Sequence, residues 1–282
     1  MLTRRAPMSP VSTCGHQLLR EAHLAPELYA ACVAALERPG RLWSANPAWS
    51  RLFLAWTAAL AEPPYEPVLT AAVACEFMAA GYDLLDDVYD HVGDMSTLTR
   101  SLPAGTTLLL LAQQALTGLD GSPAHRGRAG AALARGHRGF CAGQVQDYRL
   151  RDSSTATYDE VQAVMRRRSG SLVAVPCQCA ALLAGASWRI VGLAGRFGQA
   201  LGCAAQLEDD LADRADDQRT GRQTIPTLLS RRQPDGPELV EATTWVLMQH
   251  FIEEAAAALQ RLPAHVRLDP LWTLLPADAR AA

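Results

Sequence analysis

The stretch GYDLLDDVYD, residues 81–90, decides how the rest of the chain is read. Asp83, Asp86, Asp87 and Asp90 stand at i, i+3, i+4 and i+7, so a helix sets all four on one face. Like charges at such spacings repel by roughly 0.2–0.5 kcal/mol per pair even in water. The preceding CEFMAA and the internal Leu84, Leu85 and Val88 predict a largely buried helix, and a buried face of carboxylates needs cations. Oxygen donors without His or Cys select a hard ion, Mg2+ before Ca2+.

The spacing recurs in QLEDDLAD, 206–213, where Asp209, Asp210 and Asp213 again close a long apolar helix. Gln206 lies one turn earlier. Two such clusters, facing each other across a bundle, would hold several Mg2+ ions around one polyanion. Mg2+ shares its shell with water and substrate phosphates, so a diphosphate is the expected ligand.

Around these clusters the chain reads as helix. Apolar residues recur at helical spacing over 27–37, 47–61, 67–90, 103–117, 126–149, 158–184, 188–213 and 237–262. Short breaks such as DGSP (120–123), RDSSTAT (151–157) and RRQPDGP (231–237) separate them, and no strand-like alternation of useful length occurs. The expectation is one all-α domain, a bundle of about ten helices over residues 26–282, preceded by a loosely packed arm over 1–25.

Composition agrees. The 282 residues are 49% hydrophobic and 20% charged with net charge −3, which excludes a disordered chain and gives no electrostatic reason for nucleic-acid binding. The longest apolar run, around Thr106–Ala112, is shorter than the roughly 20 residues a membrane helix needs, and MLTRRAPMSP lacks the apolar core of a signal peptide. Seven scattered cysteines read as reduced thiols, and Cys177 and Cys179 lack the partners of a zinc site. A cytoplasmic protein is expected. All 26 basic residues are arginine, so any phosphate-binding cation is a guanidinium suited to bidentate contacts.

These segments together resemble the all-trans polyprenyl diphosphate synthase family, which has the class I isoprenoid synthase fold. CEFMAAGYDLLDDVYD is similar to its first aspartate-rich motif and FGQALGCAAQLEDDLAD (197–213) to its second. GQVQD (143–147) resembles its Gly-Gln-x-x-Asp segment, RRSGSL (167–172) stands where it has a Lys-Thr pair, and TGRQTIPTLL (220–229) resembles its segment after the second motif. The resemblance implies Mg2+, three ions with bound diphosphate, on Asp86, Asp87, Asp90, Asp209, Asp210 and Asp213. Asp86, Asp90 and Asp209 lead that set and Asp87 is a weaker ligand. It implies catalytic roles for Arg168 and Gln206, and diphosphate contacts from Arg168, Arg222, Gln144, Arg100 and Arg41. By analogy it implies a homodimer acting on a small-molecule allylic prenyl diphosphate.

Two departures shape the functional expectation. Chain-elongating members carry a Gly-Gly-Lys-Arg-type segment for isopentenyl diphosphate; here ERPGRLWSANP (37–47) offers Arg38, Arg41 and Trp43. They also carry Arg-Arg-Gly after the first motif, where HVGDMSTLTRSLPAG (91–105) has only Arg100. A second diphosphate without cations costs several kcal/mol to bury. The first expectation is therefore a terpene synthase that ionises an allylic diphosphate, releases diphosphate and cyclises or deprotonates the cation. The alternative is a prenyltransferase, condensing isopentenyl diphosphate or alkylating another acceptor. An inactive partner subunit is disfavoured by the two complete motifs. The hydrocarbon cavity is expected to be lined by Phe77, Met78, Gly81 and Tyr82, with Tyr82 capping one wall and Gly81 opening another. His91 is read as solvent-facing.

Overall fold

The computed structural model describes residues 9–38, 49–61, 65–90, 93–232 and 236–277. Helices account for nearly all of them: α1 (Pro10–Glu21), α2 (Pro26–Leu36), α3 (Trp49–Leu60), α4 (Tyr65–Asp90), α5 (Met95–Thr117), α6 (Pro123–Leu150), α7 (Tyr158–Met165), a π-helical turn (Arg166–Gly170), α8 (Ser171–Leu183), α9 (Trp188–Ala212), α10 (Arg214–Thr220), α11 (Ile225–Arg232), α12 (Pro237–Gln260) and α13 (Asp269–Trp272). No strand occurs among the described residues. The all-α class is as expected, with thirteen α-helices among these residues rather than about ten.

The contacts divide the chain into two compact units. Unit 1 is Met1–Gly130 with Leu182–Ala184, and unit 2 is Ala131–Ala181 with Gly185–Ala282. Unit 1 is organised around α4. Its residues 71–82 are buried without a break, and each large side chain among them, such as Phe77 or Met78, contributes roughly 1.5–3 kcal/mol by leaving water. Its apolar window is long and hydrophobic enough to cross a membrane, against the estimate drawn from residues 106–112. Yet 72% of that window is buried within the protein, as befits a core helix.

Within the stretch 1–25, residues 10–21 form α1. Ser9 caps α1 by accepting the Ser12 N–H at 3.1 Å, Pro10 stands in the first turn, and Leu19 is fully buried. Gly15 lies over Val73 and Phe77 of α4. In sequence this helix is inconspicuous, because His16 and Arg20 interrupt its short apolar face. Helix α5 starts at Met95, eight residues before Pro103, because Asp94 caps it through Ser96 N–H (2.9 Å) and Thr97 Oγ1 (2.6 Å). Pro103 sits inside the helix on an exposed face.

Unit 2 packs α7, α9, α11 and α12 around Val161, Met165, Leu207, Ile225, Phe251 and Ile252. In α6, positions 129, 132, 133, 136, 140, 143, 144 and 147 are buried, a helical stripe that ends at Asp147.

Candidate active site

In unit 1 the first aspartate cluster occupies the last two turns of α4. Asp83, Asp86 and Asp87 are half-buried, and Asp90 is exposed. Helical periodicity gives them the common face that their spacing predicts. Arg38, just beyond α2, donates from Nη2 to Asp87 Oδ2 at 2.5 Å, so one arginine considered for isopentenyl diphosphate is engaged with an aspartate. Arg100 is exposed on α5. Arg41, Trp43 and His91 lie outside the described residues.

The α4 wall differs from expectation at Gly81. A Cβ there would meet Leu109 Cγ at 2.9 Å and the Gly105 carbonyl at 3.0 Å, so Gly81 lets α4 and α5 touch rather than opening a cavity. Phe77 lines a small cavity of about 240 Å³ with Leu18, Thr70 and Leu111. Met78 and Tyr82 are buried.

In unit 2 three of the quoted segments meet at Asp147. Arg168 Nη1 donates to Asp147 Oδ2 at 3.3 Å, and Arg222 Nε stands 3.7 Å from the same oxygen. All three side chains are largely buried, so this carboxylate holds two guanidiniums side by side in a poorly solvated place. The backbone explains how Arg168 arrives there. A capping box of Thr157 and Glu160 starts α7, and the helix then widens into the π turn Arg166–Gly170, a distortion that commonly marks functional positions. The turn lies against its neighbours only because glycines face it. A Cβ at Gly143 would meet Arg168 N at 2.9 Å, and one at Gly202 would meet the Ser169 carbonyl at 2.8 Å. Gly143 opens GQVQD and Gly202 lies inside FGQALGCAAQ, so both segments owe a glycine to this contact.

Next to the arginines a second chain of hydrogen bonds runs along α9. Ser169 Oγ donates to Gln206 Oε1, and Gln206 Nε2 donates to Asp210 Oδ1 at 2.7 Å. Burial pushes the Asp210 carboxyl up to about 7, with the Gln206 hydrogen bond and the charges of Arg222 and Arg168 pulling it back down. Asp209 is raised by partial burial and by Glu208 and Asp213. Burial also lifts Asp217 to about 6, opposed by Arg222 and Thr224. Gln144 is buried near Asp147 in sequence, and Asp213 is exposed.

Asp147 and Asp217 were not singled out from sequence. Asp147 stands at i+3 from Gln144, and Asp210, Asp213 and Asp217 continue an i, i+3, i+7 row, signals available in the sequence. Among the described residues no three His, Cys, Asp or Glu side chains form a ready-made metal cage. The donors present, carboxylates in pairs one turn apart, fit Mg2+, which takes one or two protein carboxylates and fills its shell with water and substrate phosphates.

Comparison with known proteins gives a consistent result. The family model described as polyprenyl synthetase matches residues 47–226. A farnesyl diphosphate synthase of Geobacillus stearothermophilus is 29% identical over 195 residues, covering 58% of this chain and 65% of its own. A (2E,6E)-farnesyl diphosphate synthase of Mycobacterium bovis is 29% identical over 169 residues, covering 57% of this chain and 46% of its own. The matches thus span less than two thirds of these curated relatives. In structure, a geranylgeranyl pyrophosphate synthetase from Geoglobus acetivorans superposes with a TM-score of 0.74 at 22% identity, covering 96% of each chain.

Proposed function

This chain belongs to the polyprenyl synthetase family, and from that premise we propose that it is a Mg2+-dependent prenyltransferase that joins an allylic prenyl diphosphate to isopentenyl diphosphate. The names of the relatives favour this over the terpene-synthase expectation. The observation that carries it is the hub at Asp147. Arg168 and Arg222 are held there as a preoriented pair for one diphosphate, so little orientation is left to be fixed on binding.

Bound Mg2+ would neutralise charge on the departing diphosphate, with Asp86, Asp87 and Asp90 of α4 and Asp209, Asp210 and Asp213 as its protein donors. The protein's own residues do the rest. Arg168 and Arg222 take up the charge that develops as the allylic C–O bond breaks and its electron pair leaves with the diphosphate. The alkene of isopentenyl diphosphate then attacks the allylic cation, and the departed diphosphate takes the proton lost as the new double bond forms. Gln206, fixed between Ser169 and Asp210, presents an amide dipole to this chemistry. The homodimer belongs to the same reading, supported by Leu102 and Leu110, exposed eight residues apart on α5.

A second reading, ionisation followed by cyclisation, is favoured by Trp43 and by Arg100 as the one arginine in residues 91–105. One experiment separates them: incubation with Mg2+ and C10, C15 or C20 allylic diphosphates, with and without isopentenyl diphosphate, with products resolved by mass. A longer diphosphate that forms only with isopentenyl diphosphate is expected. A hydrocarbon from the allylic substrate alone would instead establish the cyclase.

A further inference from the structure

Unit 2 holds a cavity of about 650 Å³ beside this site, within the usual size range of small-molecule sites. It is walled by the 152–154 loop, α10, the 221–223 loop, α11 and the start of α12. Two of its arginines are not spent on carboxylates. Arg231 Nη1 donates to the Ser153 carbonyl at 3.0 Å and Arg214 Nη1 to the Pro237 carbonyl at 3.5 Å. Neither forms an ion pair among the described residues.

The cavity lining also offers acceptors. Gln223 is only 8% exposed, and its Nε2 donates to the Gly221 carbonyl at 2.7 Å. Its Oε1 is buried without a hydrogen-bond partner among the described residues, and a buried acceptor left unsatisfied is costly. Asp152 and Asp217 add two carboxylates to the lining. Asp152 is held with φ of 62°, in the left-handed region, and its N–H donates to the Gly221 carbonyl at 2.9 Å. Ser230 and Thr227 supply hydroxyls, and Pro237 and Val240 an apolar side.

A plain anion would satisfy the guanidiniums but give nothing to the Asp152 carboxylate or the Gln223 oxygen, while Asp217 already has Thr224 and Arg222. A neutral polyol would do the reverse. We propose that this cavity binds a hydroxyl-bearing organic phosphate, its phosphate on Arg214 and Arg231 and its hydroxyls on Gln223, Asp152 and Asp217. A sugar phosphate and a nucleotide share this chemistry. A nucleotide would also lay its base against Pro237 and Val240.

The test is calorimetric titration of the full chain in EDTA; because Arg222 lines the cavity as well as the diphosphate site, the Arg214 and Arg231 substitutions, outside that site, assign the heat to the cavity. The probes are ribose 5-phosphate, AMP, ribose and inorganic phosphate. Binding of ribose 5-phosphate or AMP is expected, at least about tenfold tighter than phosphate or ribose. Tighter binding of AMP identifies the nucleotide arm, and equal binding the sugar-phosphate arm. The paired substitution Arg214→Gln with Arg231→Gln is expected to weaken this binding at least about tenfold, while Mg2+-dependent turnover and the melting temperature stay as in the parent. Gln223→Leu is expected to weaken ribose 5-phosphate and leave inorganic phosphate unchanged. Should the paired variant lose its cooperative melt, Arg231→Lys, which keeps the charge and loses the fork, gives the same reading through a smaller loss. No binding of either organic phosphate at millimolar concentration overturns the proposal. So does binding that the variants leave intact, or phosphate binding as tight as the organic ligands. Because no allylic substrate or metal enters the assay, its failure is distinct from failure of the prenyltransferase reading.

Discussion

The two aspartate clusters share a spacing and differ in everything around it. In unit 1 the carboxylates crown the end of a core helix, with Arg38 as the described ion-pair partner of Asp87, and that pair is about one third exposed. In unit 2 the corresponding face is wired in advance: Asp147 fixes Arg168 and Arg222, and Ser169 and Gln206 fix Asp210. The contrast is one between a partly exposed pair at the end of α4 and a largely buried hub that Asp147, Arg168 and Arg222 form. Solvation decides what each costs to disturb, since an exposed pair is worth little and a buried one is expensive to break.

The largest effect is expected at the buried hub. Asp147→Ala leaves two guanidiniums without their common counter-charge and is expected to cost about 3–5 kcal/mol of stability, read from urea unfolding. A loss below about 1 kcal/mol would mean that the hub is no more committed than the surface pair in unit 1.

A second, smaller effect sharpens the comparison from inside unit 1. Glu76 is 2% exposed on α4, accepts the Ser50 N–H at 2.8 Å at the start of α3, and is pushed by burial to about 7, the Ser50 and Trp49 hydrogen bonds opposing the rise. Its raised pKa means that the folded state holds the proton more tightly than the unfolded chain. The stability it contributes is complete below about pH 4.5 and is lost as pH rises towards about 7, by at most about 3 kcal/mol. Glu76→Gln keeps an acceptor for Ser50 and is expected to flatten the melting temperature between pH 5 and 8. An unchanged slope in the variant would place the titrating group elsewhere.

The smallest effect is expected at Arg38. Arg38→Ala removes a half-exposed pair and should change stability by less than about 1 kcal/mol, with the difference shrinking in high salt. A loss of several kcal/mol would erase the distinction between the clusters.

How much of this was legible depended on periodicity. Long apolar helices such as α4 and α9 announce themselves, because one face must be apolar whatever lies against it. The spacing of Asp86 to Asp90 and of Asp209 to Asp213 is equally local, and so both clusters could be read directly. What was not legible arises from contacts distant in sequence. Nothing in RRSGSL signals a π turn, which depends on Gly143 and Gly202 standing opposite. Gly81 looks like cavity space until Gly105 is seen against it. Pro103 imitates a helix start because the true cap, Asp94, lies in a polar stretch. Asp147 was passed over for Gln144 because its value lies in joining arginines 21 and 75 residues further along the chain.

The most direct test of the account measures diphosphate release from an allylic diphosphate in the presence of isopentenyl diphosphate. The parent chain and the Asp86→Ala with Asp90→Ala variant are compared, each with Mg2+ and with EDTA. Release is expected only from the parent with Mg2+, and the paired variant should fall by about 10³-fold while its melting temperature holds, equivalent to about 4 kcal/mol of barrier. Full release by that variant, or release undiminished in EDTA, would contradict the assignment of the α4 carboxylates to a metal-bound diphosphate.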